Sequence, residues 1–163
     1  MAERAPHIVL CWPGKTTAPY ARIGIEEYLK RIRRFRRCRC VVVPEEPAGK
    51  QYSDEHRLER QEKGILARLA AFDPYYLVLL DPGGKALDSR KFATLLQRQC
   101  YDEGRVLAFV VGGPDGVSEG LRGRANVLLG LSSMTLPHDL ARLLLTEQIY
   151  RGFTIIHGLP YSR

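Results

Sequence analysis

The sequence predicts an α/β domain whose mainly parallel sheet is covered by helices on both faces. Short apolar segments alternate with segments of helical periodicity along all 163 residues. The segments 75–80 and 106–111 are continuously apolar, which is typical of parallel strands buried on both faces. No stretch has the composition of a linker or an internal repeat, so we expect one domain over residues 1–163.

The first half of the chain predicts two strands and two helices in alternation. Residues 7–12 form a short apolar strand. Apolar residues then recur every three or four positions over 18–35, which indicates an amphipathic helix. A β-branched, apolar strand follows at 38–43. After a polar loop over 45–53, a second helix runs to about Phe72.

The second half predicts three further strands and three further helices. The strands are expected at 75–80, 106–111 and 126–131. The helices are expected from an N-cap at Ser89 to about residue 101, from an N-cap at Ser118 to about residue 124, and from a first turn at Pro137 to residue 153 or beyond. The last helix is apolar around most of its circumference. We therefore expect part of its surface to meet another subunit.

The charge of the chain favours an anionic partner. The formal net charge is +7, from 25 Lys and Arg against 18 Asp and Glu. Seven of the ten residues from Lys30 to Arg39 are basic and none is acidic. One interpretation is a solvated helix face. We favour a phosphate-contacting surface, and the candidate RNA-binding residues are Lys30, Arg33, Arg34 and Arg37.

The cysteines and the termini indicate a cytoplasmic protein without a metal centre. The four cysteines, at positions 11, 38, 40 and 100, include no CxxC pair, so we expect reduced core thiols and no metal site. No segment has the length and apolarity of a signal peptide or a membrane span, so we expect no membrane partner.

Special loops follow three of the predicted strands, at 81–85, 112–116 and 131–137. Ligands of open parallel sheets bind at the carboxyl ends of strands, and glycine lets a ligand approach the backbone closely. The GGPDG sequence at 112–116 alone is more typical of a tight turn. Neither GxGxxG nor a P-loop motif is present.

Two polar residues in the last helix have more than one interpretation. His138, next to a proline at the helix start, is a capping residue, a packing residue or a catalyst. Arg142 lies in an apolar helix and therefore needs a partner or a ligand. Glu147, in the same helix, is a plausible partner.

The motifs of the second half together resemble a known family. The order VVGGPDGVS, then LSSMTLPHDLARLLLTEQIYRGFTI, then a closing PYSR is similar to the 23S ribosomal RNA pseudouridine N3-methyltransferases. These form the large-subunit methyltransferase H group of the SPOUT superfamily. An early GK at Gly14-Lys15, EEYLKR at 26–31 and LDPGGK at 80–85 extend the resemblance over nearly the whole chain.

The resemblance implies a homodimeric methyltransferase with a C-terminal trefoil knot. S-adenosylmethionine would be held in the knot mainly by main-chain groups. The implied cofactor-binding residues are Leu80, Gly112, Leu131, Ser132, Ser133, Met134, Thr135 and Leu136. Substitution of Gly112 by valine is expected to block that site with little loss of fold.

The implied substrate is a pseudouridine of 23S rRNA within the assembled ribosome. The implied catalytic residues are His138, Arg142, Tyr161 and Arg163, and the C-terminal tail would reach the partner subunit's site. The chain departs from the family at Ser162, where a histidine is usual. Two alternatives therefore stay open: a knotted module that binds ribosomal RNA without catalysis, and a methyltransferase acting on another RNA.

Overall fold

The computed structural model describes residues 7–47 and 52–162, and within them five strands form one parallel sheet. The strands are β1 (Ile8–Pro13), β2 (Cys38–Val43), β3 (Tyr75–Ala86), β4 (Val106–Val110) and β5 (Val127–Gly130). Their order across the sheet is β2-β1-β4-β3-β5. All neighbouring pairs are parallel, which confirms the predicted sheet.

Five α-helices connect and follow the strands. They are α1 (Pro19–Ile32), α2 (Asp54–Leu69), α3 (Ser89–Gln97), α4 (Glu119–Arg124) and α5 (His138–Ile156). A 3-10 turn at Ala70–Phe72 extends α2, a π-helical turn at Arg98–Asp102 extends α3, and a 3-10 turn at Pro160–Ser162 closes the described chain. The helix α1 ends before the predicted residue 35.

Helices cover both faces of the sheet, as predicted. Ile8, Leu10 and Trp12 of β1 point to the core shared with α1, α3 and α5, whereas Val9 and Cys11 point to the core shared with α2 and α4. This alternation follows from the two-residue period of a strand. All five of these residues are at most 2% exposed.

The first residues of two helices differ from those that the sequence predicts. The predicted N-cap Ser89 is wrong, because Asp88 occupies the cap and its side chain accepts a hydrogen bond from the amide of Lys91 at 2.7 Å. Pro137 is the N-cap residue of α5 and not part of its first turn. Ser118 is confirmed as the N-cap of α4, since its hydroxyl accepts from the amide of Leu121 at 3.1 Å.

The third strand extends beyond the predicted residue 80 because it pairs with β5 twice. Leu129 is the partner of both Leu80 and Lys85, so residues 81–84 bulge out of the ladder. Gly84 lies against the backbone of β5, and a Cβ there would come within 2.7 Å of the Leu128 and Leu129 carbonyl carbons. The bulge is therefore held close to β5. The trefoil knot itself stays a prediction.

The last helix is covered more fully by its own chain than the sequence suggested. No residue of α5 is exposed. The helix packs against both α1 and α3. Leu140, Ala141, Leu143 and Leu144 are nevertheless only partly buried. The expected contact of this helix with a second subunit therefore stays a prediction.

The cysteines are free thiols, as expected. Burial raises the pKa of Cys11, Cys38 and Cys100 to about 12 and that of Cys40 to about 11. Across the described ranges, no group of three His, Cys, Asp or Glu residues could hold a metal ion. Within the same ranges, no helix is long and apolar enough to span a bilayer.

Candidate active site

The three special loops converge on one cleft of about 240 Å³ at the carboxyl edge of the sheet. The loop after Leu80 forms one wall, the GGPDG loop at 112–116 forms a second, and the segment 131–136 forms the third. His138 and Ala141 of α5, Leu129 of β5 and Arg122 of α4 also line the cleft. The volume is near the lower end of the roughly 300–1,000 Å³ typical of small-molecule sites.

Most residues with an implied cofactor-binding role line this cleft. They are Leu80, Gly112, Leu131, Ser132, Met134, Thr135 and Leu136. Ser133 is not part of the lining. The surface is largely apolar, since leucine, valine, proline, methionine and alanine make up most of its residues.

A hydrogen bond within the segment shapes the third wall. The Ser132 hydroxyl accepts from the amide of Met134 at 2.9 Å, which closes a short turn. The Met134 side chain is 76% exposed, so it projects from the rim of the cleft. This wall is therefore ordered by its own chain, while its outer side chain is open to a partner or substrate.

The GGPDG loop is a closed turn, and this changes the expected effect of a substitution at Gly112. Gly116 adopts φ +84°, and its amide donates to the Gly113 carbonyl at 3.0 Å. A Cβ at Gly112 would lie 2.8 Å from both the Gly116 carbonyl oxygen and Val117 Cγ1. Gly112→Val would therefore displace the loop itself. The expectation of little structural loss is wrong.

The sequence interpretation missed a charged pair inside the cleft. Asp81, only 9% exposed, accepts from the amide of Gly83 at 2.8 Å, and its second oxygen lies 2.8 Å from Arg122 Nε. Both side chains line the cleft. The available signal was the position of Asp81 directly after a buried strand, whereas its pairing with a residue of α4 is a long-range contact.

The first turn of α5 separates two residues that the sequence grouped as catalytic. His138 lines the cleft, with Nε2 lying 3.5 Å from Asp139 Oδ1. Arg142, 1% exposed, is not part of the cleft lining. It points instead to the loop between β1 and α1.

Arg142 finds its partners in that loop and in its own helix. Its guanidinium donates to the Pro13 carbonyl at 2.6 Å, to Thr16 Oγ1 at 3.2 Å and to Asp139 Oδ1 at 3.2 Å. The suggested partner Glu147 is therefore wrong. Asp139 precedes Arg142 by three positions, a spacing that places both on one helix face, whereas Glu147 follows it by five.

Asp139 caps the N-terminus of α1 from a different helix. Its Oδ2 accepts from the amides of Thr17 at 3.0 Å and Ala18 at 2.9 Å, where α1 has no cap of its own. Burial opposes the ionisation of Asp139. The two amides and the Arg142 charge nevertheless hold its pKa below the ordinary value. The β1–α1 loop is thus fastened to α5 through both its amides and its carbonyls.

Nearly the whole sequence matches one protein family. A family described as "Predicted SPOUT methyltransferase" matches residues 7–162. The chain belongs to this family. Its members are methyltransferases, so the protein is an enzyme of that class, and the family resemblance seen in the sequence is confirmed.

Curated relatives of this SPOUT methyltransferase match it over nearly their full length. A protein of Syntrophobacter fumaroxidans named Ribosomal RNA large subunit methyltransferase H is 40% identical, with 96% of this chain and 99% of the relative covered. A protein of Caldicellulosiruptor saccharolyticus with the same name is 37% identical, with 95% and 98% covered.

Solved structures share the fold at low identity. A probable methylase family protein from Haemophilus influenzae has a TM-score of 0.53 at 14% identity, with 93% of this chain and 66% of that chain covered. The A. aeolicus TrmH/SpoU tRNA modifying enzyme has a TM-score of 0.51 at 14% identity, with 96% and 79% covered. They support the α/β architecture.

The C-terminal tail of this SPOUT methyltransferase lies against its own helices. The Tyr161 hydroxyl is 3.1 Å from the Tyr28 hydroxyl and donates to Glu147 Oε1 at 3.1 Å. Burial, the Tyr28 contact and the Glu147 charge raise the pKa of Tyr161. Tyr161 is not part of the cleft lining, and Arg163 lies outside the described residues.

The candidate RNA-binding residues are all exposed but lie mainly beyond the helix. Only Lys30 belongs to α1, whereas Arg33, Arg34 and Arg37 lie in the turn that leads to β2. Arg33 Nε donates to the Cys38 carbonyl at 3.2 Å, which orients part of this turn. None of the four lines the cleft. They form a separate surface, which we call the basic turn.

Proposed function

We propose that the protein transfers the methyl group of S-adenosylmethionine to N3 of a pseudouridine in 23S rRNA of the assembled ribosome. The observation that carries this proposal is the convergence of the three loops on one cleft. The nearly full-length similarity to proteins named Ribosomal RNA large subunit methyltransferase H supports it independently.

The residues of the cleft suit the proposed cofactor. The apolar walls formed by Leu80, Leu131 and Leu136 can enclose an adenine ring. Backbone groups of the 131–136 segment and of Gly112 are available for its polar edges. Asp81 supplies a buried acceptor for a hydroxyl or an ammonium group.

Catalysis then depends on positioning more than on covalent chemistry. The sulfonium of S-adenosylmethionine supplies an activated methyl group when the cofactor is bound. The loops would hold the base in line with that group and exclude water from it. The imidazole of His138 lines the cleft, so we assign to it the role of the general base that accepts the proton from N3.

Two further features support a homodimer in which the tail acts across the interface. Tyr20 and Ile23 at the start of α1 are 57% and 63% exposed, and Met134 projects from the cleft rim. A second copy would cover these apolar side chains. Tyr161 is absent from the cleft of its own chain, so its proposed catalytic role requires the cleft of the partner. Sedimentation equilibrium should show a dimer, and a monomer that is fully active contradicts this arrangement.

The basic turn is the proposed docking surface on the ribosome. Charge reversal of Arg33, Arg34 and Arg37 should weaken ribosome association and flatten its salt dependence, because fewer counterions are released. Affinity for S-adenosylmethionine should not change. If ribosome binding is unaffected, the basic turn is only solvated.

Mass spectrometry of modified ribosomes tests the proposed reaction directly. Ribosomes from a strain lacking this methyltransferase activity are incubated with the protein and S-adenosylmethionine, and the nucleotide that gains the methyl group is mapped. Methylation at N3 of a single pseudouridine supports the proposal. A methyl group on another nucleotide supports the alternative RNA substrate instead.

The second candidate function is a ribosome-binding module without catalysis, which Ser162 motivates because a tail histidine is usual at that position. Such a module would associate with ribosomes yet leave them unmethylated. It need not bind the cofactor, so calorimetry with S-adenosylmethionine separates it from an enzyme.

A further inference from the structure

The β1–α1 loop carries a lysine that the cleft and the basic turn leave unexplained. Lys15 is exposed, and among residues 7–47 and 52–162 no carboxylate pairs with it. Its two neighbours in the chain are both held by one buried side chain: Arg142 donates to the Gly14 carbonyl at 3.4 Å and to Thr16 Oγ1 at 3.2 Å. Within the described ranges the Lys15 side chain thus has no ion-pair partner, while the backbone on each side of it is fixed.

The fastening of this loop is extensive for a surface connection. The Gly14 amide also donates to the Val43 carbonyl at 2.9 Å, and Asp139 accepts from the amides of Thr17 and Ala18. Arg142 and Asp139 are 1% and 6% exposed. Surface loops are commonly mobile. Here two buried charged side chains hold one loop in place, which indicates that the function depends on its position.

The loop lies beside the cleft. Strands β1 and β4 are adjacent and parallel, and the amide of Val111 donates to the Cys11 carbonyl at 3.0 Å. A Cβ on Gly113 of the cleft loop would lie 3.2 Å from Pro13 Cγ. Asp139, which binds the other end of the loop, directly follows His138, and His138 lines the cleft. The loop that carries Lys15 therefore lies at the carboxyl edge of the sheet, beside the cleft that the base would enter.

We propose that Lys15 binds a phosphate of the RNA strand that carries the target nucleotide, and that Asp139 and Arg142 are positioning residues that hold its loop. The inference rests on the proposed function, because it needs an RNA strand at the cleft. A lysine suits this contact, since its ammonium is a compact point charge with three donors. The contact would orient the nucleotide from the β1–α1 loop, next to the 112–116 wall of the cleft.

Kinetics with unmethylated ribosomes test the contact. Lys15→Gln should raise the KM for ribosomes about fivefold and lower the slope of log affinity against log salt by about one. Lys15→Arg should restore most of the loss. The matched control is Lys63→Gln, which removes one exposed charge from α2 and should leave both quantities unchanged. Equal effects of Lys15→Gln and Lys63→Gln, or a KM within twofold of the wild type, overturn the inference.

A double-mutant cycle tests the positioning role. In an Arg142→Lys background with a misplaced loop, Lys15→Gln should raise the KM by less than twofold, because the contact is already lost. An undiminished fivefold effect contradicts the role of Arg142. Calorimetry with S-adenosylmethionine should give the same affinity for Lys15→Gln, Lys15→Arg and Lys63→Gln, since neither lysine lines the cleft.

A failure of the Lys15 contact can be distinguished from a failure of the proposed methyl transfer. If the wild type transfers no methyl group, the proposed function fails, and co-sedimentation with ribosomes then tests Lys15 alone. In that assay Lys15→Gln should release the protein at lower salt than the wild type and Lys63→Gln. Release at equal salt overturns the phosphate contact.

Discussion

The two ends of α5 hold their polar side chains in different ways. At the first turn, Asp139 and Arg142 are buried and bonded to a distant loop of the same chain. Toward the other end, Glu147 and Arg151 are half-buried and pair with each other at 2.6 Å and with the tail residue Tyr161. The first arrangement fixes a loop of the fold, whereas the second leaves polar groups near the surface. Residues with similar chemistry on one helix therefore differ in burial and in the segment that they hold.

The largest expected effect is the loss of stability on removing the buried cation. Arg142→Met should lower the free energy of unfolding by about 3–5 kcal/mol, because Asp139 is left charged and buried without its partner. Arg151→Met removes a partly exposed cation from the other end and should cost about 1 kcal/mol or less. Urea unfolding of the two variants measures both. Equal losses would remove the distinction between the two ends.

The acid dependence of stability sharpens the same comparison. The folded pKa of Asp139 lies below its ordinary value, so its carboxylate contributes stability above that value and loses it as the pH falls through the folded pKa. Asp139→Asn lacks the titrating carboxyl. The difference in stability between wild type and this variant should therefore be largest near neutral pH and shrink below about pH 4. Thermal melting of wild type and variant between pH 3 and 7 shows whether it does. Parallel curves over that range would assign the acid sensitivity to other carboxylates.

The smallest structural effect is expected at the tail. Tyr161→Phe removes hydrogen bonds to Tyr28 and Glu147 and should cost about 0.5–1.5 kcal/mol of stability. If the tail completes the partner's cleft, methyl transfer should nevertheless fall clearly in this variant. Undiminished turnover, measured with unmethylated ribosomes, would limit Tyr161 to holding the tail on α1 and α5.

The sequence predicted what depends on local pattern and missed what depends on the meeting of distant segments. Strand periodicity and strand-end glycines were sufficient to place all five strands, and the three loops of the cleft lie where strand ends predicted them. The partner of Arg142 was assigned to Glu147 because only neighbours in the helix can be read from a sequence. The carbonyl of Pro13 is more than a hundred positions away.

Packing geometry explains the other differences. Gly112 was read as room for a ligand, but the space beside it is taken by the backbone of Gly116, which only the closed turn brings there. The apolar surface of α5 predicts an interface, and the structure adds that α1 and α3 cover part of that surface within the chain. The cap of α3 is Asp88 and not Ser89. Both residue types cap helices, so the sequence alone could not decide between these two adjacent positions.

Calorimetric titration with S-adenosylmethionine tests the cofactor cleft most directly. The wild type should bind one molecule per chain. Ala141→Trp, which places an indole in the cleft lining, should abolish binding while thermal melting shows that the variant stays folded. A wild type that takes up no cofactor, or a folded Ala141→Trp variant that binds it with unchanged affinity, would contradict the assignment of the cleft.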